Sequence, residues 1–159
     1  MSVVIALIGH SAAGKSSCIE ELGFSRELGD MDRALGVKVA PSVSEFRDWL
    51  SAKETPAVVA LSIHTPMLDA YYKAAQELRV LLVYLFKRQD RIAEHVKLRQ
   101  PHGELRPQEH QVFTVQSHAH YDSIFRKAAD HIIDCSDKDT AAVAIELRGI
   151  LESNSIRVI

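Results

Sequence analysis

Residues 9 to 16 read Gly-His-Ser-Ala-Ala-Gly-Lys-Ser, so two glycines, a lysine and a hydroxyl follow one another with the spacing GxxxxGK(S/T). These residue types in this order suit a phosphate chain. Glycine lets the backbone fold around an anion so that successive N–H groups point inward, and the start of a following helix adds roughly half a positive charge. Lys15 is then expected to reach the β and γ phosphates and the Ser16 hydroxyl to ligate Mg²⁺. Gly9, Ser11, Ala12, Ala13, Gly14 and Ser17 complete the cradle. The expected cofactors are ATP and Mg²⁺.

Three further groups of residues could face the end of such a phosphate chain. Asp30-Met31-Asp32, placed at the end of a second strand, would put two carboxylates on one side of the backbone, because strand side chains alternate with period two. Asp30 would hold Mg²⁺ through water, and Asp32 would take the proton of an acceptor hydroxyl or orient it for in-line attack. Arg99 and Arg106 flank a loop-like run containing Pro101 and Gly103. That run could fold over a triphosphate, with Arg106 supplying positive charge to the transition state. Ser62 and His64 follow an apolar run and could line an acceptor site at the carboxyl end of a core strand.

The elements that must position these residues are legible as apolar periodicity. Val3 to Ile8, Ala57 to Leu61, Val80 to Phe86 and His131 to Cys135 are short runs rich in Val, Ile or Leu, as expected of strands buried on both faces of a parallel sheet. Helical stretches are expected over Lys15 to Leu22, Ser44 to Leu50, Pro66 to Leu78, Asp90 to Leu98 and from Asp139 or Thr140 onward. Ser42 and Glu45 form an S-x-x-E capping box for the second of these. With the D-x-D strand added, the expectation is a three-layer α/β/α fold around a mainly five-stranded parallel sheet. One domain is expected over residues 1–159, with a lid at about 99–110 and an acceptor-side region at about 33–54.

Composition bounds what else the chain could do. At 159 residues with 47% hydrophobic and 25% charged residues it has the balance of an ordinary globular domain. A formal charge of −2 gives no broad attraction for nucleic acid or anionic lipid, although a local basic patch could still bind phosphate. The apolar run at the start is too short to span a bilayer and lacks the flanks of a signal peptide, so no membrane partner is expected. Two distant cysteines, Cys18 and Cys135, suggest neither a disulfide framework nor a zinc site, which fits a reducing, cytoplasmic compartment. None of the eight histidines has metal-site spacing: His118 and His120 would point to different faces of a helix. Monomer and homodimer both fit.

In the order of these motifs the chain resembles the shikimate kinase family, within the wider group of P-loop small-molecule and nucleoside monophosphate kinases. The resemblance runs through the Gly9 to Ser17 loop, the Asp30/Asp32 pair, Phe46-Arg47, Arg99 with Arg106-Pro107, and the stretch Tyr121 to Cys135. It implies that Arg99 and Arg106 contact nucleotide phosphates, that Asp32 assists the acceptor hydroxyl, that Arg47 holds an acceptor carboxylate, and that the loop at Ser136 and Asp137 borders adenine. Two features depart from the family. Ser62-Ile63-His64 stands where the family has a glycine run, and Ser117 stands where it has a second acceptor-binding arginine. The expected activity is thus ATP-dependent phosphorylation of a small molecule, with shikimate disfavoured as acceptor. A kinase of nucleosides, nucleotides or modified nucleic-acid bases is the nearest alternative, and a P-loop regulatory protein without metabolite kinase activity is the other.

Overall fold

The computed structural model describes residues 4–10, 13–36, 40–62, 67–98 and 107–156. All four apolar runs are strands: β1 (Val4–Ile8), β2 (Ala57–Ala60), β3 (Leu81–Phe86) and β4 (His131–Asp134). They are parallel and lie in the order β2-β1-β3-β4. Ile5 stands opposite Val58 on one side and Leu81 on the other. Successive crossovers therefore leave β1 in opposite directions, and a crevice opens beyond its carboxyl end.

Eight helices connect and cover the described strands: α1 (Lys15–Glu21), α2 (Arg26–Gly29), α3 (Met31–Leu35), α4 (Val43–Ser51), α5 (Leu68–Glu77), α6 (Gln89–Leu98), α7 (Pro107–Ala128) and α8 (Thr140–Ile156). Strand alternation divides the core between the two faces of the sheet. Ile5 and Leu7 pack with Cys18 and Ile19 of α1 and with Val143 and Leu147 of α8. Ala6 and Ile8 pack on the other face with Phe46 of α4, Tyr71 of α5 and Phe125 of α7. Burying one such aliphatic side chain contributes roughly 1.5–3 kcal/mol, and the strand directly before the phosphate loop is anchored in both layers.

The acceptor-side helix starts where the capping box places it. Ser42 Oγ accepts from the Glu45 amide at 3.1 Å, and Glu45 Oε1 accepts from the Ser42 amide at 3.3 Å. Trp49 Nε1 and Lys53 Nζ both donate to the Leu28 carbonyl, at 3.2 and 2.5 Å, so α4 holds the carboxyl end of α2.

The fifth strand is reduced to one residue. Asp30 makes an isolated parallel bridge with Ala60 on the outer side of β2, where a further strand would run. The residues before it form a helical turn instead, because Ser25 caps α2 through the Leu28 amide and the run Ser25-Arg26-Glu27 is too polar to be buried on both faces. The Asp30/Asp32 pair consequently stands at the start of α3 rather than at a strand end.

A second difference concerns the expected lid. Residues 107–110 are the first turn of α7, with Pro107 at the first helical position, where its missing N–H costs nothing. Arg99 and Arg106 lie outside the described residues.

Cys18 and Cys135 are buried, free thiols. Burial pushes them up to about 11 and about 12, so both stay protonated near neutrality. Among the described residues no helix is long and apolar enough to cross a membrane.

Candidate active site

The loop after β1 turns back through residues that need an unusual backbone. Gly14 has φ +93° and Gly9 has φ +150°. A Cβ on Gly9 would also lie 2.9 Å from the Leu85 carbonyl oxygen of β3, so glycine is required there for space as well as conformation. The Ala13 amide donates to the His10 carbonyl at 3.1 Å and closes the turn. Gly14 is the N-cap of α1, which begins at Lys15. Ser11 and Ala12 lie outside the described residues.

Lys15 is folded onto the loop. Its Nζ donates to the carbonyl oxygens of Gly9 and His10, each at 2.9 Å. The ammonium group is thereby kept over the mouth of the turn. Ser16 Oγ donates to Asp30 Oδ2, and Asp30 Oδ1 accepts from the Asp32 amide at 3.0 Å. Asp30 thus caps α3 and fastens it to the first turn of α1. A hydroxyl and a carboxylate in contact form a hard oxygen donor pair, which fits Mg²⁺ as the expected metal.

Met31, between the two aspartates, is 0% exposed in the core and fixes the start of α3. Asp32, one residue further, is half-buried. The isolated Asp30–Ala60 bridge also brings this pair alongside the end of β2, which Ser62 follows after Leu61. Ser16 and Asp30 are brought into contact, Lys15 precedes Ser16 on the loop, Asp32 adjoins through its amide, and Ser62 stands on the adjoining strand end. His64 lies outside the described residues.

Arg47 is not brought to this group. Its guanidinium donates to Glu77 Oε2 at 2.8 Å, at the carboxyl end of α5. Helix α5 descends from the carboxyl end of β2 to the amino end of β3, so this carboxylate lies toward the edge of the sheet opposite the phosphate loop. This exposed ion pair joins α4 and α5 and is of a kind worth about 0–1 kcal/mol.

Beyond β4, Ser136 Oγ accepts from the Arg88 amide at 2.9 Å, and Asp137 pairs with Arg88 at 3.0 Å and Arg91 at 3.3 Å. These contacts tie the loop expected to border adenine to the start of α6.

Sequence reasoning did not find the role of His10. Its ring is 1% exposed and stacks on His118 of α7, with centroids 4.2 Å apart and planes 12° apart. Phe125 meets it edge-on at 5.1 Å. Neither contact leaves a periodic trace in the sequence.

Burial, helped by the neighbouring His118 and Lys15 and opposed by Asp122, lowers the His10 imidazole from 6.5 to about 3. The folded form therefore keeps His10 neutral, whereas an unfolded chain protonates it below pH 6.5. Stability present above that pH is lost as the pH falls toward 3, by about 2 kcal/mol between pH 6.5 and 4.5. Thermal melting of wild type against His10→Phe, which keeps a ring and cannot titrate, should show the steeper acid decline in wild type. Parallel declines would mean that His10 carries no such linkage.

Neither the family models nor the curated proteins compared with the chain gave a match. Solved structures did. A shikimate kinase from Bacteroides thetaiotaomicron superposes with TM-score 0.67 at 18% identity, covering 96% of this chain and 99% of the other. A shikimate kinase from Acinetobacter baumannii, solved in complex with shikimate, gives 0.65 at 16% identity, with 97% and 95% covered. A gluconokinase from Sinorhizobium meliloti gives 0.51 at 16% identity, with 99% and 98% covered. The chain has the fold that these P-loop small-molecule kinases share, over nearly its whole length.

Proposed function

We propose that the chain is an ATP-dependent phosphotransferase that moves the γ-phosphoryl group to a hydroxyl of a small-molecule acceptor. The observation that carries this reading is the convergence of Lys15, Ser16 and Asp30 at the carboxyl end of the central strand, with Asp32 two residues beyond the carboxylate that touches Ser16. The shared fold of shikimate kinases and a gluconokinase supports it.

In this reading the backbone from Gly9 to Ser17 cradles the phosphates and Lys15 leaves the two loop carbonyls to meet them. Ser16 and Asp30 hold Mg²⁺, Asp30 through water. When bound, the ion would supply positive charge that neutralises what develops during transfer. Asp32 accepts the acceptor's proton, Ser62 and His64 line the acceptor side, and Arg99 and Arg106 close over the triphosphate. The acceptor is a hydroxyl compound other than shikimate, since Ser62-Ile63-His64 and Ser117 replace two of the features that the shikimate kinase family uses for it. Two free, protonated thiols suit a reducing, cytoplasmic setting.

ADP release should depend on the acceptor. With Mg·ATP, a panel of polyols, hydroxy acids and nucleosides is expected to contain at least one class that raises ADP formation roughly 100-fold or more over water. A thermal-shift screen with an unreactive ATP analogue would find that class first. Hydrolysis unchanged by every acceptor would overturn the kinase reading and favour a nucleotide-binding regulator.

A further inference from the structure

His10 occupies the second position of the phosphate loop, yet its side chain takes no part in the cradle. It is turned inward against α7 and β3. The ring lies flat on His118, edge-on to Phe125 at 5.1 Å and 84°, and 6.5 Å from Tyr84. Its Nε2 is buried without a hydrogen-bond partner. A buried orphan of this kind is unfavourable, so the ring is maintained there by its ring contacts rather than by a bond at that nitrogen.

His118 is itself fixed. Its Nε2 lies 2.7 Å from the Lys87 carbonyl oxygen, which can only accept, so that nitrogen carries the proton. Phe86 stands edge-on to it at 6.1 Å. Behind the stack, Asp122 accepts from the Tyr84 hydroxyl at 2.6 Å and from Arg126 at 2.9 Å, which ties α7 to β3 at the same level.

The backbone of His10 has a second duty. Its carbonyl accepts both the Ala13 amide, which closes the loop, and Lys15 Nζ, which is parked there. Ring and carbonyl belong to one residue, so the orientation of the ring limits the orientation of the carbonyl.

We propose that the His10–His118 stack is a positioning joint, through which α7 sets the His10 carbonyl and thereby the closure of the phosphate loop and the resting place of Lys15. His10 and His118 are positioning residues here, since the ring stack acts on phosphate through the loop. Phosphate affinity is thus set partly by a side chain that enters the sequence a hundred residues after the loop it supports. The functional half of this inference rests on the nucleotide-binding reading; the structural half does not.

Two measurements separate the halves. Amide hydrogen exchange without nucleotide should show Ala13 exchanging roughly tenfold faster in His118→Ala than in wild type, because the bond to the His10 carbonyl opens more often. Calorimetry should show Mg·ADP binding weakened roughly tenfold in His118→Ala and within about twofold of wild type in His118→Phe, which restores a ring face. His10→Ala combined with His118→Ala should be no worse than either alone. His118→Gln, which keeps a donor for the Lys87 carbonyl and loses the ring, serves if the alanine variant does not fold.

Val80→Ala, buried just before the amino end of β3 and so at the opposite end of the strands from the phosphate loop, is the control: it should lower the melting temperature and leave nucleotide affinity unchanged. Unaltered Ala13 exchange and unaltered affinity in the ring-less variants would overturn the joint, as would an equal loss in the control. Wild-type protein that failed to bind Mg·ADP would instead remove the nucleotide reading, with the Ala13 exchange still deciding the joint.

Discussion

Lys15→Ala is expected to lower kcat/KM for Mg·ATP by about a thousandfold or more and to weaken Mg·ADP binding at least tenfold. The ammonium is the positive side chain that the structure places directly over the loop, held by the Gly9 and His10 carbonyls. Alanine leaves those carbonyls without that donor, at a net cost of roughly 0.5–1.5 kcal/mol per bond. Melting should therefore fall by only a few degrees, far less than the catalytic loss implies. Arginine is not expected to rescue, because its planar fork cannot replace a compact point charge inside a tight turn. Steady-state ADP formation with calorimetry on the same preparations checks this, and retention of tight Mg·ADP binding would end the assignment of the loop as a phosphate site.

The second large effect should come from Asp32→Asn. Both oxygens of Asp30 are engaged, one by the Ser16 hydroxyl and one by the Asp32 amide, which holds this carboxylate beside Ser16 for the metal role proposed for the pair. Asp32 is the neighbouring, half-buried carboxylate to which the proposed function gives the acceptor's proton. Asparagine conserves its shape and leaves the cap of α3 intact, since the cap is Asp30. The expected outcome is a fall of roughly 10²–10⁴ in kcat at saturating acceptor, with Mg·ADP affinity unchanged within about twofold. Turnover at the wild-type rate would assign the proton to another group.

Much of this fold was legible because its strands are buried on both faces. Such strands read as unbroken Val, Ile and Leu runs, and all four were found to within a residue or so at each end. The phosphate loop was legible because its chemistry is local: spacing alone brings Gly14, Lys15 and Ser16 to the end of β1. What escaped was set by distant contacts. Phe24 to Gly29 gave no strand signal, and it is the Ser16–Asp30 bond and burial of Met31 that seat the aspartates on a helix start. Arg47 has the residue type to clasp a carboxylate, yet the acid it meets is Glu77, thirty residues along the chain. α7 was hidden because polar residues such as Gln108, Glu109 and Gln111 interrupt its apolar pattern, so its first turn was taken into the lid.

The division of the core has an evolutionary corollary. Ile8, entering the phosphate loop, belongs to the layer shared with α4, α5 and Met31, whereas Ala13, leaving it, belongs to the layer shared with α1 and α8. Substitutions in well-separated layers combine nearly additively. A lineage could therefore remodel α4 and α5 by drift on one side, provided that the α7 contact with His10 is kept, while α1 and the α8 surface behind it stay untouched on the other, which lets one ancestral scaffold change one wall without rebuilding the opposite one.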